Sequence, residues 1–161
     1  MAELRLFSRK PKENILKASL FNRYLFLRYS LALFFFGNIY WLLILGIRRT
    51  WLLAVPLGLL IWIGLASSEQ FRLYGSDKVT LSVTKKYLQI QSVVQLALLV
   101  STGTVWFQDI FPIFSDNLKA RLASFILLML GFGVLLLSLR RIRLIRQNKD
   151  TFYRYIKMMQ H

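Results

Sequence analysis

The chain of 161 residues has no cysteine and only one histidine, His161, which is the last residue. The missing cysteines exclude disulfides, thiolate metal sites, quinone-linked disulfide chemistry and cysteine nucleophiles. A single histidine at the chain's end excludes a bis-histidine haem and any multi-histidine metal centre. Acidic groups are also few: seven Asp and Glu stand against 22 Lys and Arg. Between residues 30 and 139 the only carboxylates are Glu69, Asp77, Asp109 and Asp116, none of them deep in an apolar run. Proton-coupled pumps usually keep an ionisable group at membrane depth, and this sequence offers none there.

Other chemistry is missing too. The sequence has no Gly-x-Ser-x-Gly elbow, no phosphate-binding Walker loop and no His-Glu-x-x-His pair. Asp109 and Asp116 read as caps or solvated loop charges rather than as a catalytic pair. The expectation is therefore a protein that is not an enzyme and holds no cofactor and no metal. A membrane enzyme using Asp109 and Asp116 is the last of the readings.

What is abundant is apolar. Hydrophobic residues make up 56% of the chain and the mean hydropathy is +0.49. The charges lie in blocks between long apolar runs, which is the pattern of a multi-pass membrane protein. The expected fold is an all-α integral membrane protein with four transmembrane helices in two hairpins. Spans are expected at about 30–47, 51–66, 88–107 and 118–139, each near the roughly 20 residues that cross the hydrocarbon. Together they make a bundle over 30–139, with a connecting loop at 67–87. Pro56 falls inside the second span, where it is expected to kink the helix.

Residues 1–29 read as a basic amphipathic interfacial segment, divided by Pro11 and running into the first span. No short apolar core there leads to a small-residue cleavage site, so the first apolar run is expected to remain as an anchor. Residues 140–161 form a basic aromatic tail. Val79 to Thr84 alternates with period two, which fits a short strand or the start of an interfacial segment.

Orientation follows from the basic residues. Seven lie in residues 1–29, four in 67–87 and seven in 140–161, whereas only Arg48, Arg49, Lys119 and Arg121 lie in the other connections. Lys and Arg collect on the cytoplasmic side of short loops. Both termini and the 67–87 loop are thus expected in the cytoplasm (N-in, C-in), with a bacterial plasma membrane as the expected location. The formal charge of +15 then points to anionic lipid headgroups rather than to nucleic acid.

Three groups of residues stand out. The third span carries a polar stripe of Gln91, Ser92, Gln95 and Thr102, with Asn38 of the first span as a natural partner. Such a stripe either lines a polar path or bonds helices together, and the second use is the commoner. Ser124, Gly131 and Ser138 recur every seven residues in the fourth span and suit close helix packing, as do Gly37, Gly46, Gly58 and Gly64. In the tail, Arg140, Arg141, Arg143 and Arg146 are followed by Phe152, Tyr153, Ile156 and Met159. That pattern serves as a topology anchor on anionic lipid or as a docking helix for a cytoplasmic partner.

The leading functional expectation is a non-catalytic membrane subunit. It would assemble with itself, as a homo-oligomer, or with a larger membrane complex of transport, secretion or envelope machinery. A homo-oligomeric small transporter or channel using the polar face of the third span is the alternative. A small lytic or immunity-type membrane protein is a further one.

Overall fold

The computed structural model describes residues 2–73, 81–147 and 149; side chains are described from Asn22 onward, Arg23 and Arg48 excepted. Among these residues all regular structure is helical and no strand is present. That outcome follows from the apolar runs. A chain segment surrounded by lipid must satisfy its own N–H and C=O groups, and a helix does so within one segment.

Helix α1 runs from Ala2 to Arg48. It passes through Pro11 without interruption, so the expected division of residues 1–29 into two pieces is corrected. A proline removes one backbone donor, and a long helix with good helix formers on both sides absorbs that loss. At the far end Arg49 takes φ 49°, the left-handed region that favours glycine. Its N–H bonds the Gly46 carbonyl at 3.4 Å, which closes the turn. A short 3₁₀ turn, Trp51–Leu53, leads directly into α2, Ala54–Arg72. Pro56 lies in the first turn of α2, where N–H groups have no intrahelical partner, so it costs no hydrogen bond and the expected kink has no cause.

Helix α2 extends six residues beyond the expected end at 66, and α3 spans Ser82–Ser101. Most of the expected 67–87 loop is therefore helix, because hydrophobicity marks where the lipid ends and not where the backbone stops coiling. Of the period-two segment the described residues are Leu81, which precedes α3, and Ser82 to Thr84, which form its first turn. Helix α3 also ends at Ser101 rather than at 107. A turn and the short α4, Phe107–Ile110, follow. Helix α5, Leu118–Arg146, starts at Asn117, whose side chain accepts from the Ala120 N–H at 2.8 Å. It continues seven residues past the expected boundary at 139.

Among the described residues three stretches are long and apolar enough to cross a membrane: Tyr24–Ile47, Trp51–Arg72 and Leu118–Arg146. Helix α3 is not among them, since Lys85, Lys86, Gln89, Gln91 and Gln95 dilute its apolar residues. Packing runs around a closed ring, α1 on α2, α2 on α3, α3 on α5 and α5 back on α1. The shared core contains Leu27, Leu31, Phe34, Leu59, Ile63, Leu88, Leu135 and Ile142. The outer surface is apolar as well, with Phe36, Leu43, Ile61, Leu127 and Leu130 exposed.

Candidate functional site: a buried polar column

Helix α3 turns its polar side inward. Thr84, Tyr87, Gln91 and Gln95 are buried, while Val93, Leu96 and Val100 are exposed, Val93 by 69%. This reverses the amphipathicity of a helix on a water-soluble protein. The inward side chains build a column of hydrogen bonds to the other helices.

At the column's centre the Gln91 Oε1 accepts from the Tyr87 hydroxyl at 2.9 Å and from Asn38 Nδ2 at 3.2 Å. Asn38 Nδ2 also donates to the Phe34 carbonyl of its own helix at 2.8 Å. Helices α1 and α3, which sit across the ring from one another, are thereby joined through amides. One turn along α3, Gln95 Nε2 donates to the Leu128 carbonyl of α5 at 3.0 Å. It reaches that oxygen by lying over Gly131, where an added Cβ would sit 2.8 Å from Gln95 Nε2. Here the polar stripe and the small-residue series meet. Ser138 Oγ lies 2.9 Å from Ser30 Oγ and 2.7 Å from the Val134 carbonyl, which ties α5 to α1.

Both ends of α3 are held by side chains of opposite charge to the local helix dipole. At its start the Glu69 carboxylate of α2 accepts from the Val83 N–H at 3.0 Å and the Thr84 N–H at 2.7 Å. It also accepts from the Thr84 hydroxyl at 2.8 Å and the Ser82 hydroxyl at 3.3 Å. These bonds cap two of the orphan N–H groups that every helix start exposes. Beyond its last turn, Arg121 of α5 donates to the carbonyls of Thr102 and Thr104, each at 3.1 Å. Its guanidinium lies 5.1 Å from the Phe107 ring centroid and pairs with Asp116 at 2.6 Å. The hydrogen bond from Arg121 holds the Asp116 carboxyl below the ordinary aspartate range. Trp41 Nε1 of α1 donates to the Ile110 carbonyl at 3.2 Å and fixes the same end.

The remaining residues singled out in the sequence fall elsewhere. Ser92 and Thr102 bond carbonyls of their own helix, Leu88 at 2.7 Å and Leu99 at 2.7 Å. The Ser124 hydroxyl is buried with no partner among the described residues. Gly37, Gly46, Gly58 and Gly64 have nothing within 4 Å of an added Cβ. Arg140 is exposed and Arg141 half-buried, whereas Arg143 and Arg146 border a groove shared with α3. Phe152, Tyr153, Ile156 and Met159 lie outside the described residues.

Sequence reasoning missed several participants, among them Tyr87, Glu69, Arg121, Trp41, Thr84 and Ser30. Tyr87 stands one helical turn before Gln91, and Glu69 is one of two acids among the cations of residues 67–87; both were visible as spacing and charge. Ser30 and the Leu128 carbonyl carry no such signal.

The column consists of amides and hydroxyls with no formal charge. A cleft between α1 and α2, about 420 Å³ and walled by Leu31, Phe35, Phe36 and Ile63, is apolar apart from Arg28, Ser67 and Gln70. The Gln70 amide is buried with no partner among the described residues. No group of three or more His, Asp or Glu side chains is placed to hold a metal ion among the described residues. Comparison with protein-family models, with curated proteins and with solved structures returns no match to this chain.

Proposed function

We propose that this chain is a non-catalytic integral membrane subunit that assembles with a second copy or with a larger membrane complex of transport, secretion or envelope machinery. It crosses the membrane four times as two helical hairpins, with both termini in the cytoplasm of a bacterial plasma membrane. The fourth crossing is α3. Part of its low hydropathy comes from Gln91 and Gln95, which face other helices, and part from Lys85, Lys86 and Gln89 in its first two turns, while Val93, Leu96 and Val100 face outward where lipid would lie. A helix whose polar groups are bonded inside a bundle is compatible with the hydrocarbon.

The observation that carries assembly is the set of outward glycines. A Cβ added at Gly37 or Gly46 on α1, or at Gly58 or Gly64 on α2, would meet nothing within 4 Å. In an apolar outer surface such positions let a further helix approach closely. No close approach within this chain requires the missing Cβ at these positions, so we assign them to a neighbouring helix. The basic ends then meet anionic lipid or a cytoplasmic partner.

The test is the mass of the mildly solubilised, C-terminally tagged complex and the identity of what co-purifies. A second copy or a stoichiometric larger protein is expected, and Gly37→Leu with Gly64→Leu should lower the mass without lowering thermal stability. A lone monomer at every detergent concentration would sink the reading.

A further inference from the structure

A groove of about 430 Å³ opens between the first turns of α3 and the last turns of α5. Lys85 and Gln89 line it from α3, one turn apart on one face. Arg143, Arg146 and Gln147 line it from α5, again within one turn. The floor is apolar, formed by Leu139 and Ile142. Among the described residues none of the three cations is paired with a carboxylate. The nearby acid of α2, Glu69, is already bonded to the start of α3.

We propose that this groove binds the headgroup of an anionic phospholipid, with Lys85, Arg143 and Arg146 on the phosphate and Leu139 and Ile142 under the glycerol and upper acyl chain. The inference rests on the membrane reading above. Helix geometry sets the depth. Residues 118–139 rise about 33 Å, which matches the roughly 30 Å hydrocarbon core. Arg143 and Arg146 then fall just beyond it, in the headgroup layer, with Leu139 and Ile142 at its edge. The groove thus repeats the order of a phospholipid: apolar at the inner side, cationic at the outer.

Guanidinium forks suit phosphate oxygens, and Gln89 and Gln147 add amide donors for the hydroxyls or esters of the headgroup. A topology anchor alone needs no matching cation on the adjacent helix, and a soluble phosphate ion needs no apolar floor. Both features together favour the lipid.

The test begins with the full chain in membranes washed with alkaline carbonate. The protein is then purified in an uncharged detergent. Native mass spectrometry with phosphatidylglycerol, cardiolipin and phosphatidylcholine reads the bound lipid. An anionic lipid is expected to be retained in preference to phosphatidylcholine.

The variant K85Q/R143Q/R146Q should lose retention about tenfold for each cation removed, the size of one charge-assisted hydrogen bond. R72Q/K86Q/K149Q removes as much charge near the same end of the bundle and should retain the lipid. Arg146→Gln alone, at an exposed position, gives the same reading should the triple variant fail to fold. Equal loss in both triple variants, or equal retention of phosphatidylcholine, would overturn the site. So would displacement by millimolar inorganic phosphate, which would assign the groove to a soluble ligand. Release of the chain by carbonate would remove the membrane reading and the site with it, whereas integration without lipid selectivity removes the site alone.

Discussion

Two glycines of similar setting in the sequence have opposite surroundings. At Gly131 a methyl group would lie 2.8 Å from Gln95 Nε2, whereas at Gly37 it would meet nothing. The obstacle at Gly131 is the far end of a flexible side chain, so the cost of Gly131→Ala is the hydrogen bond that Gln95 gives up. That amounts to about 1 kcal/mol, rising to about 3 if the amide is left buried and unsatisfied. Gly37→Ala should be neutral or stabilising by up to about 1 kcal/mol, from helix propensity. Thermal unfolding in detergent compares them, and Gln95→Ala should abolish most of the Gly131→Ala penalty. Additive effects would mean that Gln95 does not depend on the missing side chain.

Asp116 gives a second prediction at this scale, with a sign fixed by its partner. The hydrogen bond from Arg121 lowers the folded-state pKa of Asp116 below its unfolded value. The pair therefore stabilises the fold at pH values above the ordinary aspartate range, and that contribution disappears as pH falls through the lowered pKa. Asp116→Asn should lower the unfolding temperature near neutrality. Its difference from the unsubstituted chain should shrink on acidification below the ordinary aspartate range. A difference that holds constant across the acidic limb would show that charge at Asp116 is not what matters.

At the scale of the element, α3 depends on side chains that belong to its neighbours. None of its first-turn residues makes a side-chain cap, and Glu69 of α2 takes that role across the loop. Glu69→Ala leaves the Val83 and Thr84 N–H groups and the Ser82 hydroxyl without their acceptor, and leaves the Thr84 hydroxyl only the Ala66 carbonyl at 3.4 Å, a loss of about 1–3 kcal/mol. Hydrogen exchange at Val83 and Thr84 should accelerate, with exchange in the middle of α5 changing little. Protection that survives the substitution would place the cap elsewhere.

Element boundaries were the least legible part of the sequence, for a physical reason. Apolar content falls at Ser67, Ser68 and Glu69, and again before Leu88. Helices nonetheless continue through Arg72 and begin at Ser82, because only the hydrocarbon demands apolar side chains, while coiling extends into the polar layer. The central polar stripe was legible in part. Four-residue spacing puts Gln91 and Gln95 on one face, and Asn38 is the conspicuous polar residue of the first apolar run. Which carbonyl Gln95 reaches, and that Tyr87 shares Gln91 with Asn38, depend on helix rotation and depth, which no local pattern encodes.

For the whole molecule the proposed topology turns on the crossing by α3. Hydropathy separates it from the three strongly apolar segments. Charge argues the other way: with four crossings, 18 of the 22 Lys and Arg fall on one side, and with three the asymmetry has no such simple basis. The burial pattern sides with charge, because the residues that lower α3's hydropathy include Gln91 and Gln95, which bond α1 and α5 inside the ring. A sequence with no cysteine makes the question directly measurable, since any introduced thiol is the only one. Asn22→Cys, Ser82→Cys and Ser115→Cys replace exposed residues at the start of the first apolar stretch, at the start of α3 and between α4 and α5. With an impermeant maleimide on intact cells, Ser115→Cys should label while Asn22→Cys and Ser82→Cys should not; on inverted vesicles the pattern should reverse. Labelling of Ser82→Cys and Ser115→Cys from the same side would mean that α3 lies along the membrane. The outward Val93, Leu96 and Val100 would then need a protein partner rather than lipid to cover them.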